Sequence, residues 1–178
     1  MSALLPILLL SACSHPDAFP PPAQVVMPSG PEPAAAAENA ARPLLAMSDP
    51  DADAHIIRDV PPAGNDPDWR FTGLHPKFRL ELVDVSHLVF YVRFFNHGEA
   101  LLARGPVSFK VDINGKQFQS ERFPYEGDAE YRHPLPDGFI ARPGLVEISL
   151  DISPPWQYPG DGTVGVLLHS IGFQQAAK

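Results

Sequence analysis

Apolar and polar residues alternate with a period of two along the C-terminal part of the chain. The pattern is clearest at residues 78–83, where Phe78, Leu80 and Leu82 alternate with Arg79 and Glu81, and it recurs at 88–95, 107–112 and 146–151. Successive side chains of a strand point to opposite faces, so the pattern is typical of half-buried strands. It predicts eight strands, at residues 69–74, 77–85, 88–96, 107–113, 116–123, 130–135, 145–152 and 163–173.

Short runs rich in glycine, proline, asparagine and aspartate separate these segments. Asn114-Gly115, between two alternating segments, is the sequence most typical of a two-residue β-hairpin. No segment of this region carries a convincing helical period. We therefore predict an all-β protein, a single antiparallel β-sandwich with jelly-roll-like topology, and an immunoglobulin-like sandwich is the alternative.

Residues 14–66 differ in composition from the alternating region. Of these 53 residues, 11 are proline and 12 are alanine, and Phe19 is the one aromatic residue. Such a stretch buries too little apolar area to offset its conformational entropy. We therefore predict a disordered Pro/Ala-rich tether at 14–66 and a sandwich domain at 67–178. Within the tether, residues 55–57 are expected to pack on the edge of the domain.

The N-terminal segment, residues 1–13, has an apolar run at residues 3–10 and ends in Leu10-Ser11-Ala12-Cys13. The run has the length of a signal-peptide core and is too short to cross a bilayer. The tetrapeptide resembles the lipobox of bacterial lipoproteins. The resemblance implies cleavage before Cys13, lipidation of its thiol and anchoring in the cell envelope. Ser14, where inner-membrane lipoproteins commonly carry Asp, implies delivery to the outer membrane.

The charge of the whole chain, −8, belongs mostly to the predicted tether, which has eight acidic and two basic residues. This balance argues against nucleic acid as a partner, because such binding needs clustered Lys and Arg. One cysteine excludes a disulfide framework within the chain. No phosphate-binding loop, nucleophile elbow or zinc-protease motif is present. We therefore expect a non-catalytic protein without cofactor or metal.

Three segments of the predicted domain resemble uncharacterised bacterial β-sandwich domains of jelly-roll or galactose-binding-like type, some of which are attached to glycan-processing proteins. The segments are Trp69-Arg70-Phe71-Thr72-Gly73, residues 105–107 leading to Asn114-Gly115, and residues 165–166 leading to 170–173. The chain departs from the pattern before the last segment, where an expected arginine is replaced within Asp161-Gly162-Thr163. The resemblance implies a glycan or envelope context and no catalytic activity.

The loop at residues 153–160 holds Trp156 and Tyr158 between prolines. A rigid, exposed ring stacks well on the apolar C–H face of a sugar. We therefore predict a ligand-binding surface made by these two residues together with Tyr125, Tyr131 and Arg132. The alternative is that Trp156 folds back onto the core. Trp69 is interpreted as a core residue or as a cap on one end of a sheet.

The leading hypothesis is a lipid-anchored envelope protein whose sandwich binds a carbohydrate. Two alternatives remain, an envelope glycan hydrolase using Asp151 or Asp161, and a structural lipoprotein that binds another envelope protein. A calcium site at Asp128 and Glu130 is a further interpretation, because calcium prefers carboxylate oxygens. The histidines show no metal-ligand spacing on one strand face.

Overall fold

A computed structural model describes residues 42–64, 68–160 and 162–176. The predicted signal peptide, Cys13 and the first part of the predicted tether lie outside these residues. The described chain contains two short helices, α1 (Ala52–His55) and α2 (Gly98–Arg104). Its strands are β1 (Leu44–Ala46), β2 (Ile56–Arg58), β3 (Arg70–Phe71), β4 (Lys77–Leu82), β5 (Leu88–Asn96), β6 (Val107–Ile113), β7 (Lys116–Phe123), β8 (Gly127–Pro134), β9 (Gly144–Ser153), β10 (Trp156–Tyr158), β11 (Gly162–Val164) and β12 (Leu167–Gln175).

The strands form two antiparallel five-stranded sheets. In the first sheet the order is β1-β12-β5-β8, and β3 also pairs with β12. In the second sheet the order is β2-β4-β9-β6-β7, and β10 and β11 form a separate two-stranded ribbon. Between β4 and β9 the chain passes repeatedly from one sheet to the other, as in a jelly roll. The predicted all-β sandwich is confirmed, with more strands than the alternation predicts.

The core lies between the inner faces of the two sheets. Phe94 on β5 contacts Phe109 on β6 with ring centroids 4.5 Å apart, and Phe123 on β7 packs edge-on against Phe94 at 4.9 Å. Phe90 and Phe173 extend the same layer along the first sheet. Aromatic rings in contact across the sheets bury large areas, and burial of apolar area is the main source of stability.

The sandwich begins earlier than the composition predicts. β1 pairs with β12, and Leu45 and Met47 are 0% and 1% exposed. β2 pairs with β4, which confirms that residues 55–57 pack on the domain edge. The predicted domain start at residue 67 is therefore wrong. Composition averages over the whole segment and does not show where individual strands lie. A few apolar residues are enough to add a short strand to the edge of an existing sheet.

Helix α2 also differs from the prediction, which assigned no helix to the domain. The helix occupies one and a half to two turns directly after β5 and ends at Gly105, whose φ is +77°. Ala100 is its buried residue, so the segment carries almost no apolar periodicity. Its packing against Trp156 and Val164 stabilises it, and those contacts are distant in sequence.

Candidate functional site

A cleft of about 1100 Å³ lies beside β3 and the β10–β11 ribbon. Four stretches of the chain line it: the segment after β2, residues around β3, the residue before α2, and the ribbon with the start of β12. The aromatic and polar side chains that line it are Asp59, Trp69, Arg70, Phe71, Thr72, His97, Tyr158 and Thr163. The cleft thus gathers rings and hydrogen-bonding groups from distant parts of the sequence.

The segment around β3 has its polar side chains inside and its aromatic side chains outside. Arg70 is 6% exposed and Thr72 is 0% exposed, whereas Trp69 and Phe71, which line the cleft with them, are partly exposed. Partly exposed aromatic residues beside buried polar ones reverse the usual order, since the apolar ring is the side chain that burial favours.

The buried polar groups of this segment are satisfied. The Arg70 Nε donates to the carbonyl of Met47 at 3.2 Å, and another nitrogen of its guanidinium pairs with Asp53. The Thr72 hydroxyl donates to the carbonyl of Val166 and accepts from its N–H at 3.1 Å. Because these bonds fix the segment from within, the rings of Trp69 and Phe71 are held in place at the cleft.

The rings of the cleft belong to one continuous aromatic belt, in which each ring contacts the next. His169 contacts Trp69 at 4.9 Å, Trp69 contacts Phe95 at 6.2 Å, and Phe95 contacts His97 at 6.0 Å. Tyr158 then joins Trp156 at 4.9 Å and Phe71 at 4.8 Å. The belt consists of His169, Trp69, Phe95, His97, Trp156, Tyr158 and Phe71.

Asp59 brings a carboxylate to the cleft from a strained backbone position. Its φ is +63°, which is unfavourable for a residue with a side chain. Its carboxylate accepts from the N–H of His75 at 2.6 Å, and its carbonyl accepts from the N–H of Gly73 at 2.7 Å. A Cβ on Gly73 would lie 2.0 Å from that carboxylate, so glycine at this position leaves room for the carboxylate where it stands. The local structure therefore fixes an acceptor at the cleft.

Burial shifts the pKa values of two ionisable groups that do not line the cleft. Burial lowers the pKa of Arg104 to about 10, and its guanidinium donates to the carbonyl of Pro154 at 2.9 Å. This bond ties the end of α2 to the loop before Trp156. Burial, with the hydroxyl's bond to Glu130 as a second cause, raises the pKa of Tyr91 on the outer face of the first sheet. Both groups keep their protons at neutral pH.

Of the predicted ligand-binding residues, Tyr158 lines the cleft and the others do not. Trp156 is 6% exposed and packs with Ala100 and Val164, so it folds back as the alternative interpretation stated. Tyr131 is fully buried in the core, where burial raises the pKa of its hydroxyl. Tyr125 is 80% exposed, and Arg132 is exposed on β8. The predicted surface is therefore not assembled as proposed.

The cleft residues that the sequence prediction missed are Trp69, Phe71, His97 and Asp59. Trp69 was interpreted as a core residue or a cap on one sheet end, Asp59 was placed in the tether, and Phe71 and His97 were not assigned to the binding surface. One signal was available, since Trp69 and Phe71 stand two apart and therefore share one face of a strand. Nothing in the local sequence says that this face looks away from the core.

The other predicted acidic residues are engaged singly in the described chain. Asp128 lies 3.6 Å from Arg93, Glu130 accepts from Tyr91, and Asp151 lies 3.1 Å from His75. Asp161 lies outside the described residues. Within the ranges that the structure describes, no three side chains of His, Cys, Asp or Glu come together as a metal-binding group. No helix of the described residues is long and apolar enough to cross a membrane.

No family model and no curated protein matches the chain. Solved structures with some similarity include a family 35 carbohydrate binding module from an environmental isolate, with 17% identity, a TM-score of 0.40, and coverage of 65% of this chain and 81% of that one. A GH115 4-O-methyl-α-glucuronidase with specificity for decorated arabinogalactans has 12% identity and a TM-score of 0.46, over 65% of this chain and 15% of that one. An exo-β-1,3-galactanase from Phanerochaete chrysosporium has 14% identity and a TM-score of 0.34, over 59% of this chain and 23% of that one.

This chain therefore spans less than a quarter of the two enzymes. At these identities and TM-scores, the similarity does not assign a function to this chain. Its function has to be argued from its own side chains.

Proposed function

We propose that the protein is a non-catalytic carbohydrate-binding module whose cleft holds a sugar chain. The observation that carries the proposal is the reversed segment around β3, which presents Trp69 and Phe71 to a concave surface while Arg70 and Thr72 are buried. A sugar ring has an apolar C–H face that packs on an aromatic ring and a rim of hydroxyls that need hydrogen-bond partners. The cleft offers both kinds of group.

The size and polarity of the cleft favour an oligosaccharide. Its volume of about 1100 Å³ exceeds the range of about 300–1000 Å³ usual for a small ligand. Tyr158 continues the aromatic surface beyond Phe71, and the exposed Asp59 and Thr163 supply hydrogen-bonding groups along it. A chain of several sugars therefore fits better than a single ring.

Binding without hydrolysis is supported by the carboxylates at the cleft. A glycosidase needs two carboxyl groups facing each other at about 5–9.5 Å across the scissile bond. Among the described residues that line the cleft, Asp59 alone carries a carboxylate. It is held by backbone hydrogen bonds at a loop, and no second acid among the described residues lines the cleft with it.

The proposal includes display of the sandwich at the cell envelope, supported by the lipobox-like Leu10-Ser11-Ala12-Cys13. Two or three acyl chains on one residue anchor a protein stably, at about 0.8 kcal/mol per buried CH₂. Cys13→Ala should move the protein from the membrane fraction to the soluble fraction of the producing bacterium. Continued membrane fractionation of this variant would contradict the lipid anchor without affecting the cleft.

Binding is tested with the full chain carrying Cys13→Ala, so that parent and variants are equally free of lipid. Cellotetraose, xylotetraose, chitotetraose and a glycan microarray serve as probes. In a Trp156→Phe background, Trp69 is the remaining tryptophan, because the chain has two. A sugar stacked on Trp69 should shift its fluorescence, and Trp69→Ala should weaken binding by at least tenfold, about 1.4 kcal/mol.

Tyr125→Ala is the matched control, since Tyr125 is a more exposed aromatic residue that does not line the cleft. It should leave binding unchanged. Equal loss in the Trp69 and Tyr125 variants, or no binding of any probe at millimolar concentration, would refute the proposed site. Release of reducing sugar from a bound probe would contradict the non-catalytic assignment.

A further inference from the structure

His97 is the one histidine among the described residues that line the cleft. It follows β5 directly, and its φ of −68° and ψ of 131° are extended before α2 begins. We propose that its imidazole is fixed as the Nε2–H tautomer and that this N–H donates a hydrogen bond to a sugar oxygen in the cleft. The inference rests on the proposed carbohydrate-binding function and assigns a ligand-binding residue to it.

The orientation of the His97 ring is set by three aromatic neighbours. It stacks on Trp156 with centroids 5.1 Å apart and an interplanar angle of 29°. Phe95 and Tyr158 meet it edge-on at 6.0 and 6.4 Å. Because rings surround it on these sides, rotation about its side-chain bonds would break packing contacts. The two ring nitrogens therefore have different and constant surroundings.

One of these nitrogens is buried without a partner. Nδ1 of His97 is inaccessible to solvent and forms no hydrogen bond within the described chain, whereas Nε2 is not among the buried atoms that lack a partner. A neutral imidazole carries one donor nitrogen and one acceptor nitrogen. Buried N–H groups without an acceptor are rarer than buried acceptors without a donor. The proton therefore belongs on Nε2, and Nδ1 remains the unprotonated atom against the aromatic packing.

This tautomer gives the cleft a donor in addition to the acceptor of Asp59. Asp59 can only accept when ionised, and a sugar hydroxyl can both donate and accept. A fixed Nε2–H thus selects sugars with an oxygen at its position, while the rings accept any apolar sugar face. His97 is in this way a specificity-determining residue, distinct from the stacking residues.

The tautomer can be measured without any ligand. Long-range ¹H–¹⁵N correlation of the imidazole nitrogens, at about pH 8, where free histidine is neutral, should show the proton of His97 on Nε2. The protein has internal references of both kinds. Nδ1 of His55 lies 3.1 Å from the carbonyl of Arg79, which can only accept, and Nε2 of His133 lies 2.7 Å from Glu121. A proton on Nδ1 of His97, like that on His55, would overturn the inference.

The role in binding is tested with two substitutions of similar size. The amide nitrogen of Gln reaches the position of Nε2, whereas that of Asn corresponds to Nδ1. His97→Gln should therefore keep binding of the tetrasaccharide probe within about threefold, and His97→Asn should lose about tenfold, the size of one hydrogen bond. Thermal unfolding of both variants checks that they are folded.

The outcomes separate the two proposals. Equal loss in both variants, with the parent protein still binding the probe, would refute the role of Nε2 and leave carbohydrate binding intact. Absence of binding in the parent protein would refute the proposed function and this inference together. A sugar probe that binds equally well after His97→Asn would show that the donor is not used.

Discussion

Leu45→Ala tests whether the segment before residue 67 belongs to the cooperative fold. Leu45 is 0% exposed on β1, where it lies opposite Ile171 of β12. Replacing a fully buried leucine by alanine costs about 2–5 kcal/mol in protein cores. β1 has three residues and lies at a sheet edge, so it relaxes more easily than a central strand. We therefore expect a loss at the lower end, about 2–3 kcal/mol.

The measurement is urea unfolding followed by tryptophan fluorescence and by circular dichroism. The midpoint should fall without a change in slope, because the surface exposed on unfolding stays nearly the same. Leu44→Ala is the matched control on the neighbouring position of the same strand, where the side chain is partly exposed. It should cost less than about 1 kcal/mol.

The refuting result is a loss for Leu45→Ala that equals the loss for Leu44→Ala within about 0.5 kcal/mol. The segment would then detach before the rest of the sandwich unfolds, and the boundary at residue 67 would describe the cooperative unit after all. A loss in Leu45→Ala with a reduced slope would also contradict the expectation, since it would indicate that β1 is already released in the variant's native state.

Three further changes have definite expected outcomes. Gly172→Ala should lower the melting temperature more than Gly138→Ala. Both glycines have positive φ, but only a Cβ at 172 meets the β1 segment, where it would lie 2.2 Å from a backbone carbonyl. Equal effects in the two variants would contradict that close approach. Tyr131→Phe should leave the free energy of unfolding unchanged or raise it by up to about 1 kcal/mol, since the buried hydroxyl has no partner among the described residues; a clear loss in urea unfolding would show that this hydroxyl is bonded. Hydrogen bonds from two basic residues of β4 lower the pKa of Glu147 from its ordinary 4.5. The charged Glu147 therefore stabilises the fold above that pH, and this stabilisation is lost as the pH falls through the lowered pKa. The difference in unfolding free energy between the parent and Glu147→Gln should shrink in acid. A difference that does not depend on pH would refute this.

The parts of the fold that the sequence predicts best are three consecutive strands. The predicted ranges 88–96, 107–113 and 116–123 coincide with β5, β6 and β7. On β6 the inner face meets the opposite sheet, so each second residue is apolar, and Asn114-Gly115 fixes the hairpin between β6 and β7. The same rule fails for β1, whose pairing is decided by strands more than 100 residues later. A three-residue strand has too few positions to show a period.

The candidate site was predicted at the wrong tryptophan for a physical reason. Trp156 stands among prolines and Trp69 precedes a regular alternation, so the first resembles an exposed loop residue and the second a core residue. In the structure the loop folds onto α2, and Trp156 becomes buried beside Ala100. The helix that covers it was absent from the prediction. Because α2 was missing from the prediction, the site was assigned to Trp156 and not to Trp69.

The alternation around β3 could not have corrected this error. Residues 69–72 alternate aromatic and polar side chains, and a period of two is the same whichever face is inward. What decides the face is the supply of partners for Arg70 and Thr72. Those partners stand 17, 23 and 94 residues away, at Asp53, Met47 and Val166. Once they satisfy the polar side chains, the rings of Trp69 and Phe71 are left to form the cleft, so the site arises from long-range hydrogen bonds that local sequence does not contain.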